Sequence, residues 1–217
     1  DITLETRVRY STTGRSIHQA RVLVPADMII RSVHAPSLVD WSEVTYDHNG
    51  KQVKLITVLF STGVTGSFNV VIDGQLERKL ADMASSVPHL SALDVATQNG
   101  QTVLLTDPSY SIQLTDIEDA DSVPVAAMYS WLRANQRQYA RAAFRFKDDQ
   151  YNANFNVTRR NPTIRVSTYS NVKMTPRAIE ETLLLDYTIS NSGIRQIQFQ
   201  LPNWLKNARI KSQYLRE

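Results

Sequence analysis

The sequence contains no cysteine, little glycine and no long apolar segment. None of its 217 residues is cysteine, and seven are glycine. The first absence excludes disulfide bonds, thiolate metal sites and a cysteine nucleophile. No apolar run approaches the roughly 20 residues that cross a bilayer, so we expect no membrane span within the chain. A chain of this length can still bury a sizeable core without covalent cross-links.

Motifs that mark nucleotide chemistry are also missing. The chain contains neither G-x-x-x-x-G-K-[ST] nor G-x-G-x-x-G, the glycine-rich loops that cradle phosphates. It also has no G-x-S-x-G elbow for a serine nucleophile. Nucleotide-dependent activity is therefore not expected. A Ser-His-Asp triad is defined by geometry rather than by spacing, so the composition does not decide for or against one.

The net charge of the chain is small. Lys and Arg number 24 and Asp and Glu 21, which gives a formal charge of +3. The densest basic stretch runs only from Arg133 to Arg145, and we expect no nucleic-acid partner, because nucleic-acid-binding domains usually carry clustered Lys and Arg.

The chain starts at Asp1 without an initiating Met or a signal peptide. This start predicts a processed chain or an excised segment and leaves the compartment open.

Alternation of apolar and polar residues dominates the sequence and predicts β-strands. Turn-forming residues separate the alternating stretches, as at Asp73-Gly74 and at Asn191-Ser192-Gly193. Short strands at this density predict an all-β, antiparallel β-sandwich that is Ig-like in general architecture. We divide the chain into a β-sheet segment over residues 1–80, as part of one repeat unit, and a second β-sandwich unit over residues 81–217 that includes the start of the next repeat.

One segment is ambiguous between helix and strand. Residues 125–143 are rich in Ala, Arg, Gln and Leu, which favour helix. Met128, Leu132 and Gln136 would then line one helical face. The alternative ends the helix near Asn135 and starts a strand at Tyr139. The pattern does not decide between them; if residues 125–140 are helical, the predicted class becomes a β-sandwich with one attached helix.

Two distant segments resemble each other. Residues 10–25 (YSTTGRSIHQARVLVP) align without a gap with residues 187–202 (YTISNSGIRQIQFQLP). We interpret each copy as a hairpin whose second strand ends at a proline, which lacks the N–H that a strand ladder requires. The identical pairs are Tyr10/Tyr187, Ile17/Ile194, Gln19/Gln196 and Pro25/Pro202, and the pairs of matching character are Ala20/Ile197, Val22/Phe199, Val24/Leu201, Met28/Leu205 and Val33/Ile210.

This internal echo has two interpretations. Two amphipathic hairpins can look alike by chance, because a short alternating pattern carries little information. The alternative is a tandem array whose period is the offset that carries Tyr10 onto Tyr187. In such an array the chain would begin late in one unit and stop early in the next. The array therefore predicts that the natural protein extends beyond residue 217.

The second copy also carries a resemblance to known proteins. The order Y-x-I-x-x-x-G-I-x-x-I-x-F-x-L-P at residues 187–202, preceded by F-R-F at 144–146 and V-T-R-R-N-P at 157–162, resembles repeated β-sandwich segments of very large, envelope-associated bacterial proteins of the planctomycete type. The resemblance covers residues 1–77 and 139–217. It implies a piece of a multi-unit extracytoplasmic protein and brings no catalytic residues with it.

An acidic cluster is the candidate for metal binding. Hard oxygen ligands at alternating positions can hold Ca²⁺, and the cluster consists of Asp116, Glu118, Asp119 and Asp121. It lacks the glycine of an EF-hand loop, and most charge clusters are solvated loops. No other cofactor is expected. The four histidines (His18, His34, His48 and His89) do not pair at the spacings of zinc ligands.

Aromatic residues and carboxylates are the remaining candidates for binding or chemistry. Four aromatic side chains could bind sugar by stacking, although such residues also fill sandwich cores: Trp41, Trp131, Tyr151 and Trp204. Paired carboxylates could serve a glycosidase, and those available are Asp73, Asp94, Asp148 and Asp149. Nothing in the sequence marks two of them as facing each other, and no residue is assigned a catalytic role.

These observations favour a non-catalytic structural or interaction module of a larger extracytoplasmic bacterial protein, secreted to the periplasm or the cell surface. Its partners would be other segments of the same long chain or other proteins, reached through open strand edges. A carbohydrate-binding or Ca²⁺-dependent adhesive module is the alternative, and a carboxylate-dependent hydrolase is a third.

Overall fold

The computed structural model describes residues 2–77, 84–201, 203 and 209–211. Within them the chain forms antiparallel sheets, a 3-10 turn (Val125–Met128) and one α-helix of four residues. This confirms the predicted all-β, sandwich-like fold. The elements are β1 (Ile2–Pro25), β2 (Met28–His34), β3 (Leu38–His48), β4 (Lys51–Leu76), β5 (Ala84–Ser86), β6 (Ser91–Ala92), β7 (Gly100–Leu105), β8 (Tyr110–Glu118), β9 (Ala120–Ser122), α1 (Ala134–Arg137), β10 (Ala140–Phe146), β11 (Asn152–Arg159), β12 (Thr163–Thr175) and β13 (Ala178–Ser190).

The chain divides into two compact units, residues 1–160 and residues 161–217. The first unit continues past residue 80 because β6 returns to the first sheet, where Ser91 pairs with Leu23 of β1. Compact units and repeat units need not coincide. The repeat boundary predicted at residue 80 therefore stays a prediction.

Two long strands, β1 and β4, form the framework of the first unit. They pair from Ile2↔Leu76 to Pro25↔Val53, and the register shifts around residues 12–19. Gly14 has a φ of 86° in this interval, a conformation that glycine adopts at little cost. The hairpin interpretation of residues 10–25 is therefore wrong: the chain bends at Gly14 and continues as one strand, because β4 offers a partner on both sides of the bend.

The inward side chains of both halves of the β1–β4 ribbon form one core. β2 pairs with the end of β4 near Leu76, whereas β3 pairs with its beginning. Lys54 Nζ donates to the Met28 carbonyl oxygen at 2.8 Å and so connects the two halves. Each fully buried Val, Ile or Met side chain contributes about 1.5–3 kcal/mol. The most deeply buried members are Val22, Val24, Met28, Ile56, Val58, Val70, Ile72 and Leu76.

A second core lies between two three-stranded sheets of the same unit. The sheets have the orders β7-β10-β9 and β5-β11-β8. Phe144 of β10 and Phe155 of β11 face each other across this core together with Tyr151 and Val87. Ile2 packs against both cores, so the start of β1 connects the two cores.

The ambiguous segment contains both helix and strand. A 3-10 turn is followed by the four-residue helix α1, and β10 begins at Ala140. The alternative with a strand near Tyr139 therefore describes the segment better than one long helix does. Met128 and Leu132 are buried in a small third core against Ala140 and Ala143. Since that core requires β10 beside the turn, packing overrides the helical propensity of the sequence.

The second unit contains a long β-hairpin. β12 and β13 pair residue by residue from Thr163↔Ser190 to Thr175↔Ala178, and Pro176-Arg177 forms the two-residue turn. Almost every residue of both strands is exposed. An isolated two-stranded hairpin is only marginally stable in water.

Candidate interaction surface

The four carboxylates of the predicted calcium site lie along one strand–turn–strand segment. Asp116 and Glu118 belong to β8 and Asp121 to β9. Within the residues that the structure describes, no three His, Asp or Glu side chains gather in a way that could hold a metal ion. The structure thus does not bring the predicted cluster together as a cation site.

The aromatic sugar-binding candidates are distributed over different parts of the chain. Trp41 packs against the first core, and Trp131 is 45% exposed, with its indole N–H donating to Gln101 Oε1 at 2.9 Å. Tyr151 is 7% exposed and belongs to the second core, so its ring packs against neighbours rather than offering a platform. Trp204 lies outside the described residues. A sugar-binding role for Trp41 and Trp131 stays a prediction.

The four carboxylates considered for glycosidase chemistry each have a local partner. Asp73 accepts a hydrogen bond from the Ser32 hydroxyl at 2.9 Å, and Asp94 forms an ion pair with Arg21. Asp148 accepts from the backbone N–H of Gln150 at 2.9 Å, which closes the turn after β10. These contacts explain three of the four as parts of the scaffold.

The fourth carboxylate, Asp149, takes part in a polar and aromatic cluster that spacing along the sequence does not reveal. Its Oδ2 accepts a hydrogen bond from Ser91 Oγ at 3.1 Å. The His89 ring lies 4.6 Å from the Tyr151 ring, centroid to centroid, and Phe146 stacks on Tyr151 at 4.1 Å. Residues 89–91 and 149–151 meet because β5 and β11 pair immediately beside them.

Burial and hydrogen bonding shift the pKa values in this cluster. Burial raises the pKa of Tyr151 to about 12. Partial burial of the His89 ring lowers the pKa of His89, although the nearby charge of Asp149 acts to raise this pKa. Burial acts to raise the pKa of Asp149, but hydrogen bonds from Gln150 and Ser91 outweigh it and leave the pKa below its ordinary value. The Ser91 hydroxyl thus donates to a carboxylate, whereas an activated serine donates to a general base such as histidine.

The basic stretch holds its own loop together. Arg133 forms an ion pair with Glu5 at 2.8 Å, and Arg137 donates to the Tyr129 carbonyl oxygen at 2.8 Å. Arg141 donates to the carbonyl oxygens of Gln138 and Ala140 at 2.8 and 3.0 Å. Arg133 thus connects the segment around α1 to β1, whereas Arg137 and Arg141 satisfy backbone carbonyls of the segment that carries the third core.

The hairpin of the second unit presents one strongly apolar face. Directly opposite residues of an antiparallel pair point to the same side of the sheet, so the register of β12 and β13 assigns each side chain to a face. Ile164 lies opposite Ile189, Val166 opposite Tyr187 and Met174 opposite Ile179. We call this side the apolar face; its large apolar members are Ile164, Val166, Val172, Met174, Ile179, Leu183, Leu185, Tyr187 and Ile189.

The apolar face is open to solvent. Leu183 is 43% exposed, and most other members are similarly or more exposed. The opposite side of the hairpin is mainly polar, with Arg165, Lys173 and Asp186 among its residues. The alternating segment 194–201 follows the hairpin, and its apolar residues Ile197 and Phe199 are both 45% exposed. Large exposed apolar patches of this kind mark contact surfaces in soluble proteins.

The predicted strand pattern at 194–201 does not form a strand. These residues alternate in character but carry no strand hydrogen bonding in the described part of the chain. A strand requires a neighbour to satisfy its backbone N–H and C=O groups. Residues 194–201 thus have the alternating pattern of a strand, but no strand within the described residues pairs with them.

Comparison of the chain with protein-family models, with curated proteins and with solved structures found no match. None of the helices in the described residues has the length and apolar character needed to cross a membrane. The function proposed below rests on the geometry of the chain and on its sequence pattern.

Proposed function

We propose that this chain is a non-catalytic structural and interaction module of a larger extracytoplasmic bacterial protein, and that its second unit makes the contact. The observation that carries the proposal is the apolar face of β12 and β13. A row of large apolar side chains on an exposed hairpin is costly in water and is favourable once a partner covers it. The partners are other segments of the same long chain or other proteins of the cell envelope.

The extracytoplasmic assignment is supported by the sequence resemblance of residues 1–77 and 139–217 to repeated segments of envelope-associated proteins. The Ig-like character and the repeated arrangement belong to the same proposal.

The experiment compares two neighbouring leucines on opposite sides of the hairpin. Leu183 belongs to the apolar face, whereas Leu184 points to the other side and is 61% exposed. We expect the purified chain to self-associate with increasing concentration in sedimentation analysis. Leu183→Asp should weaken the association at least about tenfold, which corresponds to ~1.4 kcal/mol, and Leu184→Asp should leave it nearly unchanged.

Two results would contradict this proposal. One is a chain that stays monomeric at all concentrations tested. The other is an equal effect of the two substitutions, since both introduce the same charge and differ only in the face that receives it. Circular dichroism of both variants checks that the strand content is retained.

A further inference from the structure

We infer that the second edge of β13 accepts a strand of the β4 type, supplied by a further copy of the fold that residues 2–77 adopt, and that the completed sheet encloses the apolar face of β12 and β13 as the β1–β4 ribbon encloses the first core. This inference rests on the proposed function, because it names the partner of the surface assigned there. The first unit contains both sides of such a contact: β1 is the receiving strand, and β4 is the strand that pairs with it.

The echo positions are mainly core positions in the first copy. Seven of the nine positions where residues 10–33 match residues 187–210 lie in the first core or pack against it; Gln19 and Pro25 do not. Val22, for example, is fully buried, whereas its counterpart Phe199 is 45% exposed. The echo therefore repeats a core pattern and not merely an alternation. The matched core members of the first copy are Tyr10, Ala20, Val22, Val24, Met28 and Val33.

The backbone of the two copies also agrees at one unusual residue. Gly14 of the first copy has a φ of 86°, and its counterpart in the second copy, Asn191, has a φ of 73°. Asn is among the few non-glycine residues that adopt this left-handed conformation readily. β13 ends at Ser190, the counterpart of Thr13, and the regular register of β1 ends at Thr12. The two copies thus leave their first straight segment at the same place and through the same kind of residue conformation.

The side chains of β1 and β13 point in corresponding directions. In β1 the residues Leu4, Val8 and Tyr10 pack into the first core or against it. Their counterparts are Glu181, Leu185 and Tyr187, and the latter two belong to the apolar face. Ile179 and Leu183 of the same face correspond to Ile2 and Thr6. The face that β1 buries is thus the face that β13 exposes, with Glu181 as the one charged member.

The β1–β4 register of the first copy predicts which residues of an incoming strand would lie opposite β13 and residues 196–201. Tyr10 lies opposite Phe68, and Val22 lies opposite Ile56. When this register is transferred to the second copy, Tyr187 receives the Phe68 position of an incoming strand, and Phe199 receives its Ile56 position. Within the described residues β13 pairs with β12 along one edge only, so a second edge can accept this strand. The incoming strand would also turn residues 196–201 into a strand.

The test adds the missing strand to the intact chain. Glu217 corresponds to residue 40, so a second copy of residues 41–77 joined directly after Glu217 continues the repeat in frame. We expect the amides of residues 196–201 to exchange about 100-fold more slowly in this extended chain, because they would open only together with the new sheet. The control extension has the same length but carries Asp at the positions of Val58, Val70 and Ile72, and it should give no protection.

A disulfide tests the register independently. The natural sequence has no cysteine, so Thr188→Cys combined with Ser67→Cys in the added copy makes a single pair. The transferred register places these residues opposite each other on the outward side, within the Cα separation that a disulfide requires. The off-register control combines Thr188→Cys with Val71→Cys in the added copy and should not close.

The outcomes separate this inference from the proposed function. Slower amide exchange of residues 196–201, together with a disulfide that forms at positions 188 and 67 but not in the off-register control, supports the inference. The extended chain should then no longer self-associate. No more protection than in the control extension, or equal closure of both cysteine pairs, overturns it. If Leu183→Asp still weakens self-association of the unextended chain, the contact surface stands and only its occupant is wrong.

Discussion

Tyr151 shows how the fold uses a residue that the sequence marks only as an aromatic. Its ring stacks on Phe146 and contacts the tilted His89 ring, and its hydroxyl is held in a buried environment. Tyr10 has a similar place in the first core, where it stacks on Phe68 at 5.3 Å. Burial, with a smaller contribution from Asp94, raises its pKa to about 12. Both phenols therefore resist ionisation in the folded chain.

These two tyrosines predict a loss of stability in alkali. An unfolded tyrosine titrates near pH 10. The contribution of the two buried phenols to the free energy of unfolding is therefore fully present below pH 10 and is lost as the pH rises through about 12. Each group lowers the free energy of unfolding by about 1.4 kcal/mol per pH unit within this window. Tyr151→Phe should remove about half of that pH dependence, as measured by urea unfolding of the chain from pH 9 to pH 12.

The matched control for this prediction is an exposed tyrosine. Tyr169→Phe changes a side chain that is exposed on the hairpin and should leave the alkaline slope unchanged. An identical slope in the Tyr151→Phe variant and the natural chain would show that the buried phenol does not govern the alkaline transition.

At the scale of elements, turn chemistry decides how β3 and β4 meet. His48 pairs with Lys51, so Asn49 and Gly50 form a two-residue turn, and both have positive φ, 54° and 76°. This is the combination that a type I′ hairpin requires, and Asn-Gly is its preferred sequence. Asp47 Oδ1 accepts a hydrogen bond from the Gly50 N–H at 3.0 Å and stabilises the turn further.

Gly50→Val should therefore destabilise the first unit by about 1–2 kcal/mol, the cost of a left-handed backbone at a residue with a Cβ. Asn49→Gly keeps the turn permissive and should change the free energy of unfolding by no more than a few tenths of a kcal/mol. Chemical denaturation of both variants measures the difference. Equal stability of the two would mean that strand pairing, rather than the turn, determines this hairpin.

The strand pattern of the first copy was predicted, but its continuity was not. Residues 3–10 and 20–24 alternate on both sides of Gly14, which favours two strands and a turn between them. In the structure they belong to one strand, because β4 is long enough to pair with both parts. A pattern along the chain reports which residues face inward, whereas the partner that keeps a strand continuous lies far away in the sequence, beyond β2 and β3.

At the scale of the whole molecule, the two units differ in how much they bury. Among the described residues, all three cores lie in the first unit, whereas those of the second unit form mainly exposed strands. Since cores supply most of the stability of a fold, the first unit should be stable without the second.

Residues 1–160 expressed alone should therefore remain folded and monomeric, with the same midpoint of chemical unfolding as the first unit has in the full chain. Tryptophan fluorescence of Trp41 and Trp131 follows the transition, and sedimentation gives the mass. A shortened chain that unfolds, or that associates as the full chain does, would show that the second unit is neither separable nor the source of contact.

The alternation of residues was enough to predict that the chain is all-β and which residues of β1 and β4 point inward. Tertiary structure alone decided the continuity of β1, the strand after Ala140, the burial of Tyr151 and the exposure of the apolar face. The physical reason is that period-two alternation records the side to which a residue points, which is a local property. Burial depends on whether other elements cover that side, and distant strands decide this: side chains of β1, β2 and β4 bury one another in the first core, whereas the apolar face of β12 and β13 is exposed in the described residues.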